Sequence, residues 1–208
     1  MINTIQLRKM LGWLGMLLPW IVAILYMLFE VNKFAFPQSI SATYYYTSCI
    51  TPFMIILGSA GILLICYEGY DKQDNIICTL AGIFGICICI FPCDNADFAN
   101  VGTFQLPTNI SHWLHMIFAI AFFALLSYNS LFLFTKSSGE MTKEKKIRNV
   151  IFRVCGIGMI VSFVLIIPLS LLNFGSTFWL IEAIALMFFG ISWLTKSQCY
   201  KWLFKDKE

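Results

Sequence analysis

The chain has 208 residues, of which 59% are hydrophobic and 12% charged, with a net charge of +3. A soluble globular domain has about 25% charged residues, so this chain has too few charges to cover a water-exposed surface. High hydrophobicity with little charge also excludes an intrinsically disordered protein, and the small net charge gives no indication of a nucleic-acid partner. The composition predicts a membrane protein with little of its chain outside the bilayer.

Six stretches are long and apolar enough to cross a membrane as helices. A spanning helix needs about 20 mainly apolar residues. Windows without Asp, Glu, Lys or Arg cover 10–29, 48–67, 75–93, 112–135, 154–172 and 176–195, the last interrupted only by Glu182. They lack the strict apolar and polar alternation of barrel strands. We therefore predict an all-α membrane protein, a six-transmembrane-helix bundle that forms a single domain over residues 1–208.

The basic residues predict the orientation of this bundle. Six spans place both termini on one side, and thirteen of the fourteen Lys and Arg residues fall on that side, Lys33 being the exception. Cytoplasmic loops of membrane proteins are enriched in Lys and Arg. Both termini are therefore expected in the cytoplasm, where anionic lipid headgroups attract such charges.

Polar residues gather at the opposite end, near the outer leaflet. Ionisable groups are costly within a bilayer and mark functional or structural sites. Glu182 is the clearest, because it lies inside the sixth window. Further candidates lie at a similar depth, and they are Glu30, Ser39, Ser41, Tyr45, Asp94, His112 and His115. We predict a polar pocket there that binds a small ligand, an ion or a lipid headgroup.

The two histidines at the start of the fourth window suggest a metal site. His112 and His115 are three residues apart and share a helix face. With Asp94 they are a candidate ligand set for zinc, and Glu182 would be the base that activates metal-bound water. No other cofactor is evident. A proton-sensitive site and a purely interfacial role are the alternatives for the histidines.

This set of residue types is similar to the zinc site of lipid amidases of the ceramidase and adipoQ-receptor type. The chain departs from those proteins in two ways. It has six predicted spans rather than seven, and it lacks their paired histidines in the last helix. The similarity therefore concerns only the composition of the site.

Charges of opposite sign also meet at the predicted cytoplasmic side. Asp71 and Asp74 lie in the turn between the second and third windows, and Arg153 immediately precedes the fifth. We predict that Arg153 pairs with one of these acids and joins the helix ends.

Small residues and cysteines add two expectations about packing. Small residues let membrane helices approach closely, and the candidates are Gly12, Gly15, Gly58, Gly61, Ala81, Gly85 and Gly156. Cys49 and Cys93 lie at outer helix ends. They are the candidates for a disulfide if their helices are neighbours in an oxidising compartment.

Several short stretches resemble a set of uncharacterised bacterial multi-pass membrane proteins. They are SISATYYYT at 39–47, GYD at 69–71, FP at 91–92, RVCG at 153–156, FW at 178–179 with Glu182, and GISWL at 190–194. The Phe-Pro-x-Asp ending of the third window, followed by His, is similar to the six-span Frag/DRAM/Sfk-like groups of unknown function. The resemblance implies a six-helix bundle in a bacterial inner membrane, and it implies no activity.

Three functions follow from these features. A non-enzymatic sensor or assembly partner with the outer polar pocket is favoured, because no known catalytic motif is present. A metal-dependent membrane lipid hydrolase is the alternative. An oligomeric channel, transporter or membrane-perturbing defence effector is the third, although the spans show no inverted repeat. The expected partners are membrane lipids and further copies of this chain, and no nucleic acid.

Overall fold

The structure, a computed structural model, describes residues 3–31, 34–137, 141–170 and 176–201, without the side chains of 167–170. Helices make up most of this part of the chain. The six long ones are α1 Thr4–Leu25, α2 Thr47–Ile65, α3 Lys72–Ile90, α4 Thr108–Tyr128, α5 Lys143–Ser170 and α6 Thr177–Lys196. The π-helical turns Tyr26–Glu30 and Asn129–Leu133 extend α1 and α4.

Two smaller elements lie between the long helices. A 3₁₀ helix covers Ser41–Tyr45, ahead of α2. An antiparallel hairpin pairs β1, Asn100–Val101, with β2, Leu106–Pro107, between α3 and α4. Both elements lie in segments that the composition predicts only as external loops.

The predicted six-helix, all-α architecture is confirmed. The described residues contain six helices that are long and apolar enough to cross a membrane. The predicted start of α1 at residue 10 is wrong, because Asn3 caps the helix earlier and its side chain accepts a hydrogen bond from Ile5 N at 3.0 Å. The predicted end of the fifth span, at 171–172, lies outside the described residues. So does Lys33, the one basic residue predicted on the side opposite the termini.

The predicted start of the fifth helix is also wrong. We expected it at Val154, where the charges end, but α5 begins at Lys143. Lys, Glu and Arg are good helix formers, so the helix begins before it reaches the apolar region. Its 28 residues extend about 42 Å at 1.5 Å per residue. The charged first third therefore extends beyond a hydrocarbon core of about 30 Å.

The helices form a closed ring in chain order. Each packs against the next, and α6 packs against α1. Neighbours joined by short connections run antiparallel. As a result α1, α3 and α5 begin, and α2, α4 and α6 end, at one end of the bundle. The described Lys and Arg residues lie at or toward this end, which we call the basic end, and the opposite one is the loop end.

Aromatic side chains fill the bundle interior near the basic end. Trp193 is buried, and its ring contacts Tyr67 and Phe134 edge-on at centroid distances of 5.0 and 5.1 Å. Arg8 is also buried and donates to the Tyr67 hydroxyl at 3.2 Å. These contacts join α1, α4 and α6 to the end of α2.

Glycines set the closest helix contacts. A Cβ on Gly82 would lie 2.4 Å from the carbonyl oxygen of Gly61, so α2 and α3 touch backbone to backbone there. The prediction of close packing is confirmed for Gly61, for Gly12 and Gly15 against α6, for Gly85 against Phe122, and for Gly156 against Leu131. It is wrong for Gly58, where an added Cβ would meet nothing within 4 Å.

Candidate functional site

Three of the predicted pocket residues meet at the loop end, although they come from distant parts of the sequence. Ser41 begins the 3₁₀ helix, His115 lies about two turns into α4, and Glu182 lies in the second turn of α6. The Ser41 hydroxyl lies 3.1 Å from His115 Nε2 and 3.4 Å from Glu182 Oε1. We call this arrangement the Glu–Ser–His chain.

His115 is the most deeply buried member, with 4% of its surface exposed. Its Nδ1 lies 2.9 Å from the carbonyl oxygen of Phe91. A carbonyl only accepts, so Nδ1 carries a proton. In the neutral ring Nε2 is then an acceptor, and it receives the hydroxyl proton of Ser41.

The break at the end of α3 provides the acceptor for His115. The helix ends at Ile90, and Pro92 has no backbone N–H with which to continue it. The carbonyls of Phe91 and Pro92 are therefore left without helical partners. His115 binds the first, and the Ser111 hydroxyl donates to the second at 2.8 Å.

Glu182 connects α6 to the segment ahead of the 3₁₀ helix. Its Oε2 accepts a short hydrogen bond from the backbone amide of Ile40, and its Oε1 contacts the Ser41 hydroxyl. Ile40 is buried, whereas Glu182 keeps part of its surface exposed. The Glu182 carboxylate therefore satisfies a buried backbone donor.

The segment 34–46, which we call the anchor segment, is held to α6 by further contacts. The amide of Trp179 donates to Gln38 O at 3.0 Å, and the hydroxyl of Ser176 donates to Phe36 O at 3.0 Å. The Phe36 ring stacks on Trp179 at a centroid distance of 4.2 Å. Ser39 takes no part in the Glu–Ser–His chain, because its hydroxyl accepts from Ala42 N at 2.9 Å and caps the 3₁₀ helix.

Two other predicted pocket residues have partners away from the Glu–Ser–His chain. Glu30 accepts from the amide and hydroxyl of Ser48 at 2.9 and 2.6 Å, so it caps the start of α2. The Tyr45 hydroxyl donates to the carbonyl of Cys93. Burial raises the pKa of Tyr45, and its ring stacks on Phe98 at 5.6 Å.

The proposed zinc ligands do not gather around one point. His112 Nδ1 lies 2.9 Å from Asp94 Oδ1, and the two side chains are 34% and 66% exposed. His115 is turned away, because both of its ring nitrogens have other partners. Within the described residues, no group of three or more His, Cys, Asp or Glu side chains is arranged to hold a metal ion.

Asp94 contacts His112 in two ways. Its backbone amide donates to Nδ1 at 3.3 Å, and its carboxylate oxygen Oδ1 lies 2.9 Å from the same nitrogen. Neither side chain is buried, and exposed pairs of this kind contribute little to stability.

The two cysteines that are candidates for a disulfide, Cys49 and Cys93, are both free thiols. Cys49 is buried, and its Sγ lies 3.5 Å from the carbonyl of Val22. Cys93 is buried beside the loop that follows α3, and burial raises the pKa of its thiol to about 12.

At the basic end, the prediction that Arg153 pairs with Asp71 or Asp74 is wrong. Lys136, which follows α4, contacts Asp71 at 2.7 Å and Asp74 at 3.1 Å. The hydrogen bond from Lys136 holds the pKa of Asp71 below its ordinary value, and the same bond raises the pKa of Lys136. Because α5 begins at Lys143, Arg153 lies about 15 Å along it, on an exposed face.

The arrangement of Ser41, His115 and the Phe91 carbonyl has the order of nucleophile, base and orienting group seen in hydrolases. The Glu182 carboxylate lies beside the hydroxyl of Ser41 and binds the amide of Ile40. The three side chains therefore form one hydrogen-bonded arrangement that can exchange protons.

Several buried polar residues lie deeper in the bundle, within stretches that the sequence predicts only as apolar spans. Ser130 and Ser192 are fully buried, and their hydroxyls lie 2.7 Å apart between α4 and α6. The π-helical turn brings both Asn129 and Ser130 inward. Asn129 lies within the apolar window 112–135, and an amide side chain there is the feature of the sequence that indicates a buried polar site.

No protein-family model, curated protein or solved structure matches this chain. The resemblance to the six-span Frag/DRAM/Sfk-like groups stays a prediction.

Proposed function

We propose that this chain is a non-enzymatic, multi-pass membrane sensor whose ligand at the loop end is the proton. The observation that supports the proposal is the Glu–Ser–His chain. It joins the carboxylate of Glu182 to a buried imidazole through a single hydroxyl. Ionisable side chains inside a membrane bundle are typical of functional sites.

The hydrogen-bond donors in the Glu–Ser–His chain leave a place for one further proton. His115 donates a hydrogen bond from Nδ1 to the carbonyl of Phe91, and the Ser41 hydroxyl donates one to His115 Nε2. The Ser41 oxygen then keeps a lone pair that faces Glu182 at 3.4 Å. A proton on Glu182 would be donated to this lone pair, and each group would then donate once in the same direction.

Loss of that proton changes how the anchor segment is held. An ionised Glu182 is a stronger acceptor for the Ile40 amide, since charge-assisted hydrogen bonds are roughly twice as strong as neutral ones. It also competes with His115 for the hydroxyl proton of Ser41. We therefore propose that the anchor segment is held tightly when Glu182 is ionised and more loosely when it is protonated.

Few other titratable groups in the described part of the chain act on these residues. Cys93 interacts electrostatically with Glu182, and Asp94 and His112 interact with His115. The thiol of Cys93 is neutral over the physiological range because burial raises its pKa to about 12. The pH response is therefore expected to depend on Glu182 and His115, with a smaller influence of the exposed Asp94–His112 pair.

Infrared difference spectra of the protein in liposomes test the proposal. Lowering the pH is expected to produce the C=O band of a protonated carboxyl group. The Glu182→Gln variant should lose this band, because it has no titratable carboxyl at the site. Glu30→Gln is the matched control and should keep it, since Glu30 caps α2 elsewhere. An unchanged band in the Glu182→Gln protein would contradict the proposal.

We further propose that the chain lies in a bacterial inner membrane with both termini in the cytoplasm. The position of the described Lys and Arg residues at or toward the basic end supports this orientation. Green fluorescent protein fused after Glu208 is expected to fluoresce, and alkaline phosphatase fused there should be inactive. Phosphatase inserted into the hairpin turn, between Val101 and Leu106, should be active. The reverse pattern would contradict the orientation.

A further inference from the structure

An apolar groove runs between α5 and α6 on the outside of the bundle. It is lined from Val154 to Leu165 on α5 and from Ile181 to Phe188 on α6, with a volume of about 380 Å³. Gly158 forms its floor, because a Cβ there would lie 2.3 Å from the Phe188 ring. Ser162 offers no free donor, since its hydroxyl donates to Gly158 O at 2.8 Å.

The dimensions of the groove match one lipid chain. The distance from Val154 to Leu165 along α5 is about 16 Å at 1.5 Å per residue. One leaflet supplies half of a hydrocarbon core of about 30 Å. The groove therefore has about the length of one acyl chain. It begins at Val154, at its side nearer the basic end, and reaches Ile181 in the second turn of α6.

Exposed positive charges lie on α5 beyond the end of the groove that is nearer the basic end. Lys146 and Arg153 are seven residues apart, two helical turns, so they share a face of α5 with the groove residue Ile157. All three residues are exposed. No residue in the described part of the chain forms an ion pair with Lys146 or Arg153. Since α5 is about 12 Å longer than the hydrocarbon core, Arg153 lies near headgroup depth.

We propose that the groove binds one acyl chain of an anionic phospholipid, whose phosphate contacts Arg153 and Lys146. The guanidinium group of arginine matches the oxygens of a phosphate in a bidentate geometry. A net negative headgroup gains from both charges, whereas a zwitterionic headgroup carries its own cation. This inference is independent of the proton site, because it concerns the outside of the bundle and uses none of the residues of the Glu–Ser–His chain.

Native mass spectrometry tests the headgroup part of the proposal. Purified protein is mixed with equal amounts of phosphatidylglycerol and phosphatidylcholine, both dioleoyl, and the retained lipid is counted. The wild-type chain is expected to retain one phosphatidylglycerol in preference to phosphatidylcholine. Arg153→Gln and Lys146→Gln should each reduce this preference about fivefold. Lys9→Gln, which removes an exposed cation at the start of α1, should leave it unchanged.

A second pair of variants tests the groove itself. Val161→Phe, at a groove position that is 48% exposed, is expected to fill the groove and abolish retention of phosphatidylglycerol. Ile62→Phe, on an exposed face of α2, should have no effect. Equal retention of both lipids, or loss with Lys9→Gln as large as with Arg153→Gln, would overturn the proposal. So would a dimer that Val161→Phe converts to a monomer, because a second copy would then occupy the groove.

Discussion

Replacing Glu182 with alanine is expected to lower the free energy of unfolding by about 3 kcal/mol, since a buried donor that loses a charged partner costs about 1.5–3 kcal/mol. The amide of Ile40 would keep no acceptor, and Ile40 is only 3% exposed. The hydroxyl of Ser41 would also lose its contact with the Glu182 carboxylate. Denaturant titration of the protein in mixed micelles measures the change.

Glu30→Ala is the matched control for this substitution. Glu30 also accepts two hydrogen bonds at the loop end, both from Ser48. Its site is a helix start that water can reach, where loss of a cap costs about 1 kcal/mol. Equal losses for the two variants would contradict the special role assigned to Glu182, as would a Glu182→Ala protein with wild-type stability.

Replacing Gly82 with alanine is expected to destabilise the protein by about 2–3 kcal/mol, the upper part of the range of about 1–3 kcal/mol for inserting extra carbon atoms into a packed contact. The new Cβ would lie 2.4 Å from Gly61 O and 2.9 Å from Ile65 N. Both are backbone atoms, so no side chain can rotate to make room. The helices α2 and α3 would have to separate, and thermal unfolding in micelles should show a lower midpoint.

Gly58→Ala distinguishes this clash from a general effect of glycine substitution. Gly58 lies on the same helix as Gly61, and a Cβ there would meet no atom within 4 Å. Alanine has the higher helix propensity, so the variant should be as stable as the wild type or slightly more stable. A loss at Gly58 as large as the loss at Gly82 would contradict the assigned α2–α3 contact.

The spans could be predicted from the sequence because the length of an apolar stretch is a local property. The helix ends could not, since they depend on caps and on charged residues that continue a helix into water. Asn3 extends α1 beyond its apolar window, and the residues from Lys143 onward extend α5. Because α5 begins at Lys143, Arg153 lies within the helix and not at its start as predicted. Lys136 binds Asp71 and Asp74 in its place.

The candidate site was predicted only in part. Their positions along the sequence place Glu182, Ser41 and His115 at a similar depth in the membrane, but they do not show which way each side chain turns. The spacing of His112 and His115 places them on one helix face, yet His115 is buried and His112 is partly exposed. The carbonyl that orients His115 becomes available only because Pro92 ends α3. Such a partner depends on the tertiary structure.

The dependence of the anchor segment on Glu182 can be measured most directly by amide hydrogen exchange at Ile40 as a function of pH. After correction for intrinsic exchange rates, protection of this amide is expected to fall as the pH is lowered, because protonated Glu182 accepts less strongly. In the Glu182→Gln protein the corrected protection should be lower and independent of pH. The same pH dependence in both proteins would contradict the claim that Glu182 is the proton-binding group that holds the anchor segment.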